Sequence, residues 1–154
     1  LEKIIISFEP LYNSSSAKIH SNIITNIEVL MDKDKFKQIM FNLLSNSLKY
    51  SLQGDTVNFF LTCDLGNAII RIQDYGIGIS TADQKRLFEP FHRGTNVRKI
   101  PGTGLGLVVV KKCVDLHSGS IAIASEVGVG TTTTVTLPLV QQATLNPRDS
   151  KSES

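Results

Sequence analysis

The chain has 154 residues, 41% of them hydrophobic and 19% charged, with a formal net charge of +2. That length suits one domain able to bury roughly two thirds of its unfolded surface, and the composition is that of an ordinary soluble globular protein. So small a charge gives no footing for nucleic acid or an anionic membrane surface as a partner, and neither is expected.

In chain order, residues 3–8 form a β-rich run, 9–18 suit a short helix, and 19–24 and 28–31 are short strand candidates. Asp32 has the character of an N-cap opening a helix that runs to about Ser51. Gly54 and Asp55 break it, and strands 56–65 and 67–74 follow, joined by a turn at Gly66-Asn67. Residues 80–88 suit a short helix capped by Ser80 or Thr81, and 92–103 read as a loop punctuated by Gly and Pro. A second apolar helix covers about 104–117 and stops near Gly119. Strands 120–126 and 130–138 pair across the next turn, and the polar tail 141–154 is expected to be disordered.

These elements predict an α+β fold, a two-layer α/β sandwich with helices on one face of a mixed, mostly antiparallel sheet. The expected organisation is a linker and domain start over 1–18, one domain over 19–140, and the tail over 141–154. Cys63 and Cys113 show no CxxC and no His at ligand spacing, so reduced thiols in a cytoplasmic setting are expected. The longest apolar run, 105–110, is far shorter than the roughly twenty residues that span a bilayer. With no signal peptide and a start at Leu1, the chain is expected to be part of a longer protein, which leaves room for a membrane anchor elsewhere.

Four patterns bear on chemistry. On the first long helix Phe36, Ile39, Met40, Leu43, Ser47 and Tyr50 fill one arc, and Phe41, Leu44 and Leu48 extend it round the back. A helix apolar over so much of its girth is expected to be largely buried. Gln38, Asn42, Asn46 and Lys49 form the remaining polar stripe, whose amides need either neighbouring backbone or a polar pocket. An Asn oxygen is also a fair ligand for Mg²⁺.

Next, Ala68, Ile70, Ile72 and Asp74 share one strand face, so a carboxylate points where apolar side chains point. Such a group needs a donor, for instance a purine amine, although DYGIGI over 74–79 also suits a plain hairpin turn. The run GTGLGL over 102–107 places glycines before a helix N-terminus, a natural phosphate site, without matching GxGxxG or GxxxxGK[ST]. Between them, residues 92–112 hold Arg93, Arg98, Lys99, Lys111 and Lys112 and no acidic residue. That is either a solvated face or a basic lid over a nucleotide.

In order, NLLSNSLKYS over 42–51, DYGIGI, LFEPFHRG over 87–94 and GTGLGL resemble the N, G1, F and G2 boxes of sensor histidine kinases. The resemblance spans about residues 19–138 and implies the Bergerat sandwich shared with gyrase-type ATPases, with ATP and Mg²⁺ as cofactors. It makes Asn46 the Mg²⁺ ligand, Lys49 a phosphate contact, Tyr50 a flank of the nucleotide and Asp74 the acceptor of the adenine amine. Gly76, Gly78 and Ile79 then shape the adenine turn, and Phe88 and Arg93 belong to the lid, with Arg93 approaching the γ-phosphate. Gly102, Thr103, Gly104, Leu105, Gly106 and Leu107 would meet the phosphate chain.

Asn42, Lys49 and Arg93 are the residues the resemblance marks for catalysis. Asn42 stands where gyrase-like relatives carry a Glu base, and an amide cannot replace that base near neutral pH. Ser47 and Tyr75 depart from the usual Ala and small polar residue. None of the three histidines, His20, His92 and His117, stands in a phosphoacceptor context, and His117 is expected to suit a helix dipole. The implied partners are a histidine-bearing dimerisation domain of a homodimeric parent and, indirectly, a response-regulator receiver domain. A catalytically silent ATP-binding switch and a gyrase-like ATPase are the alternatives.

Overall fold

The computed structural model describes residues 2–6, 18–23, 27–51, 56–95 and 104–139. The elements are β1 (Glu2–Ile6), β2 (Lys18–Ile23), β3 (Ile27–Met31), α1 (Lys33–Tyr50), β4 (Thr56–Asp64) and β5 (Asn67–Asp74). They continue with α2 (Thr81–Gln84), α3 (Gly106–Leu116), β6 (Ser120–Glu126) and β7 (Gly130–Pro138). A five-stranded sheet runs in the order β2-β4-β5-β7-β6, and β1 pairs with β3 in a separate ribbon. Only β2 and β4 are parallel among these pairs, so the sheet is mixed and mostly antiparallel.

Period-two alternation decides which face is covered. Val57, Phe59 and Leu61 of β4, Ala68, Ile70 and Ile72 of β5, and Val135 and Leu137 of β7 are buried on one face. Onto that face α1 brings Ile39, Met40, Leu43 and Leu44, and α3 brings Val110, Cys113 and Val114. The helices also pack on each other. Burial of each large side chain in this layer contributes about 1.5–3 kcal/mol. No helix among the described residues is long and apolar enough to cross a membrane.

Asp32 caps α1 as its sequence position suggests, accepting from the Asp34 and Lys35 N–H groups at 2.9 and 3.0 Å. The helix is less buried than its composition implies, because Phe41 is 60% exposed. Each residue turns the helix by 100°, which puts Phe41 roughly 60° beyond Leu44 and outside the arc that meets the sheet.

The β4–β5 turn is Leu65-Gly66, one residue earlier than expected, because Asp64 pairs with Asn67. Both turn residues have positive φ, 47° and 77°, as a two-residue hairpin turn requires. Leucine in that conformation is not what pattern reading assigns.

The helix expected over 80–88 shrinks to Thr81–Gln84. The chain then descends through three-residue turns, with Arg86, Glu89 and His92 N–H groups donating to the carbonyls of Asp83, Arg86 and Glu89. Pro90 has no N–H with which to continue a helix. Lys18 lies in β2, while the rest of the helix expected over 9–18, most of the loop and the tail fall outside the described residues.

His117 closes α3 differently from expectation. Its Nε2 accepts the Asp32 N–H at 3.1 Å, so the ring proton sits on Nδ1, 2.7 Å from the Cys113 carbonyl. The neutral ring ties the end of α3 to the start of α1 and brings no positive charge to the dipole.

Candidate functional site

Alternation along β5 carries Asp74 onto the covered face of the sheet, where it is only 7% exposed. Its Oδ1 accepts two backbone N–H groups, from Gly76 at 3.0 Å and Thr131 at 3.2 Å. Burial pushes the carboxyl above its ordinary range, while these two bonds and the Ser47 hydroxyl pull it back. Oδ2 stays outside both backbone bonds.

The turn after Asp74 is stitched on two sides. The Ile77 N–H donates to the Tyr50 carbonyl at the end of α1, and the Gly128 N–H donates to the Ile77 carbonyl from the β6–β7 hairpin. Neither approach leaves room for a side chain: a Cβ on Gly76 would run into the Tyr50 carbonyl, and one on Gly78 into that of Glu126.

The polar side of α1 faces the same space. Asn42 donates its amide to the Gln38 carbonyl at 2.8 Å, which turns Oδ1 toward the start of α3, 3.2 Å from where a Gly106 Cβ would sit. Lys49 lies over the Tyr50 ring at 5.4 Å. Among the described residues no side-chain cap hydrogen bond is made at the N-terminus of α3. Its first-turn N–H groups and dipole therefore offer themselves to an anion.

Asp83 is a second buried carboxylate. Its Oδ2 accepts from Ser80 Oγ at 2.9 Å and from Thr95 N and Oγ1 at 3.1 and 3.2 Å. Those donors, Thr95 N–H first, hold its carboxyl below the usual range. Its Oδ1 faces Nε2 of His92 at 3.3 Å.

Together these walls enclose a cleft of about 320 Å³. Asn42, Asn46, Lys49, Tyr50, Asp74, Gly78, Ile79, Arg93, Gly104, Gly106 and Leu107, all marked in the sequence, line it. Gly76 acts from behind the turn, and neither Phe88 nor Leu105 is on the wall, where Leu87 stands instead. Gly102 and Thr103 lie outside the described residues.

Pattern reading missed Thr131 and Thr133, hidden in a run of four threonines, and His92, read only as part of the basic approach. It also passed over Asp83, although the Ser80-x-x-Asp83 spacing is a legible capping box. Among the described residues no cluster of three or more His, Cys, Asp or Glu could hold a metal ion. The amide oxygen of Asn46 on the cleft wall is a donor of the kind Mg²⁺ accepts when phosphates and waters complete its shell.

The model of the histidine kinase-, DNA gyrase B- and HSP90-like ATPase family matches residues 31–141, which take in α1, the Asp74 turn, α3 and the β6–β7 hairpin. The chain belongs to this family. It is 39% identical over 121 residues to the sensor histidine kinase WalK of Bacillus subtilis, covering 76% of this chain and 20% of that protein. It is 36% identical over 140 residues to the autoinducer 2 sensor kinase/phosphatase LuxQ of Vibrio parahaemolyticus, covering 86% of this chain and 16% of that protein.

The chain thus spans a fifth or less of the length of these two relatives. Among solved structures, the mycobacterial sensor histidine kinase MprB superposes with a TM-score of 0.75 at 30% identity, over 82% of this chain and 86% of that one. The mixed sheet under two helices is accordingly the Bergerat fold, and ATP is the nucleotide the family implies.

Proposed function

We propose that this chain is the ATP-binding catalytic domain of a two-component sensor histidine kinase. It moves the γ-phosphate of ATP to a histidine on a separate dimerisation domain of a homodimeric parent, for onward signalling to a response regulator. The domain works in the cytoplasm, whether or not its parent is membrane-anchored.

The observation that carries this reading is the cleft that joins a buried carboxylate, Asp74, to the glycine-bearing N-terminus of α3. Asp74 Oδ2 accepts the exocyclic amine of adenine while Oδ1 stays with the backbone. Tyr50 and Ile79 flank the base, and Lys49, Arg93 and the first turn of α3 receive the phosphates. Asn46 would hold Mg²⁺, which when bound neutralises charge across the phosphates.

Transfer is favoured over hydrolysis by what faces the phosphate end. Asp74 is the one acidic residue on the cleft wall among the described residues, and Asn42 keeps its amide on the Gln38 carbonyl. No carboxylate stands there to activate water. His117 has both ring nitrogens engaged and His92 is packed against Asp83, which supports an acceptor histidine on another domain.

Incubation with γ-labelled ATP, alone and with the parent's histidine domain, tests the proposal. Acid-labile label on the partner and none on this chain is the expected result. Rapid phosphate release by the chain alone would support the gyrase-like ATPase. Nucleotide binding without transfer to the correct partner would support a silent switch.

A further inference from the structure

Asp83 carries more bonds than its short helix needs. It lies in α2, which has only four residues and is capped by Ser80, whose hydroxyl accepts the Asp83 N–H at 3.1 Å. Asp83 is 6% exposed and reaches twelve residues along the chain to Thr95, taking both its N–H and its hydroxyl. The ring of His92 closes over the other oxygen, with its Nε2 fully enclosed and no well-aligned hydrogen bond reaching it among the described residues.

A buried carboxylate is costly unless donors surround it, and every donor gathered here lies at one end or the other of the segment 80–95. That segment ends beside α3. The Phe91 N–H donates to the Gly104 carbonyl at 3.2 Å, and a Cβ on Gly104 would sit 2.9 Å from the His92 carbonyl oxygen. His92, Arg93 and Gly94 are therefore held on the cleft wall next to the helix N-terminus.

We infer that Asp83 is a positioning residue of the nucleotide site: it gathers Ser80, His92 and Thr95, fixes the cleft edge that presents His92 and Arg93, and so sets how strongly the site prefers a triphosphate to a diphosphate. The inference rests on the nucleotide reading above. Among the described residues the adenine end, built on Asp74, shares no hydrogen-bond partner with this cluster. Loosening Asp83 therefore weakens the terminal phosphate's contacts and leaves the base contacts in place.

Calorimetric affinities of the chain for Mg-ATP and Mg-ADP, with thermal midpoints recorded alongside, test this. Asp83→Asn keeps one acceptor oxygen in place of two and loses the charge that Ser80, Thr95 and the His92 ring surround, and is expected to weaken ATP about tenfold while ADP changes less than about twofold. Thr95→Val and His92→Gln bury no new charge and keep the fold, and each is expected to shift the ATP-to-ADP ratio in the same direction by a smaller factor.

A merely structural role lowers both affinities together with the thermal midpoint, and that outcome would overturn the inference. Unchanged ratios in the folded Thr95→Val and His92→Gln variants would overturn it as well. If the unsubstituted chain binds neither nucleotide, the nucleotide reading falls and takes the inference with it. ATP binding by that chain with unaltered discrimination in the variants removes the inference alone.

Discussion

Thr131 donates its backbone N–H to Oδ1 of Asp74 over 3.2 Å, a bond between residues 57 apart in the chain. The Gly76 N–H uses the same oxygen. One oxygen of the carboxylate thus holds the turn together, while Oδ2 lies outside both backbone bonds and the Ser47 hydroxyl also reaches the carboxylate.

Asp74→Asn is therefore expected to keep the fold and lose the ligand. The amide oxygen can take the place of Oδ1, while the amide nitrogen replaces Oδ2 and meets an adenine amine donor to donor. ATP-induced thermal stabilisation should vanish.

The sign of the pH effect follows from burial. Asp74 is raised above 3.8 in the folded chain, so the native state binds its proton more tightly, and stability falls as pH climbs through the raised value. Asp74→Asn removes that penalty, so its midpoint at neutral pH should equal or exceed that of the wild type, the gap closing below about pH 4. Asp83 has the opposite sign: its lowered value adds stability above the ordinary carboxylate range, lost as pH falls through the folded value. Thermal scans against pH on Asp74→Asn and Asp83→Asn separate the two.

Asn46→Ala should weaken nucleotide binding about tenfold in the presence of Mg²⁺ and leave metal-free binding nearly unchanged, because it removes one neutral oxygen from the cleft wall. Calorimetry with and without Mg²⁺ reads this directly. Equal affinities of wild type and variant in both conditions would take Asn46 out of the metal site.

Gly78→Ala should cost more than about 3 kcal/mol, because φ is +72° and a Cβ would run into the Glu126 carbonyl. Gly128→Ala, in the hairpin that clamps the same turn, has φ +78° but open space around it and should cost about 1–2 kcal/mol. Chemical denaturation of both variants measures the difference. Similar losses would mean that the turn is not clamped between the hairpin and α1.

His117→Phe should lower stability by about 1–3 kcal/mol by leaving the Asp32 N–H and the Cys113 carbonyl without their partner. Nucleotide affinity should not change, since the strap lies at the helix ends away from the cleft wall. Denaturation paired with calorimetry checks both halves.

Local chemistry was legible in the sequence because it depends on near neighbours. The Asp32 cap, the β6 and β7 limits and the inward face of Asp74 follow from spacing, dihedral preference and period-two alternation. The order of the four boxes likewise brought Asn46, Asp74 and Gly106 to notice before any fold was known.

What tertiary structure alone decided are relations between distant residues. Phe41 stays in solvent because sheet and α3 cover only one arc of α1, and no property of Phe41 itself reveals which arc. His117 is neutral because the Asp32 N–H, 85 residues away, needs an acceptor. Asp83 is buried because Thr95 and His92 return to it through a run of turns that has no periodicity to read. Hydrogen-bond demand is set by which groups lose water together, and that is known only once the chain has packed.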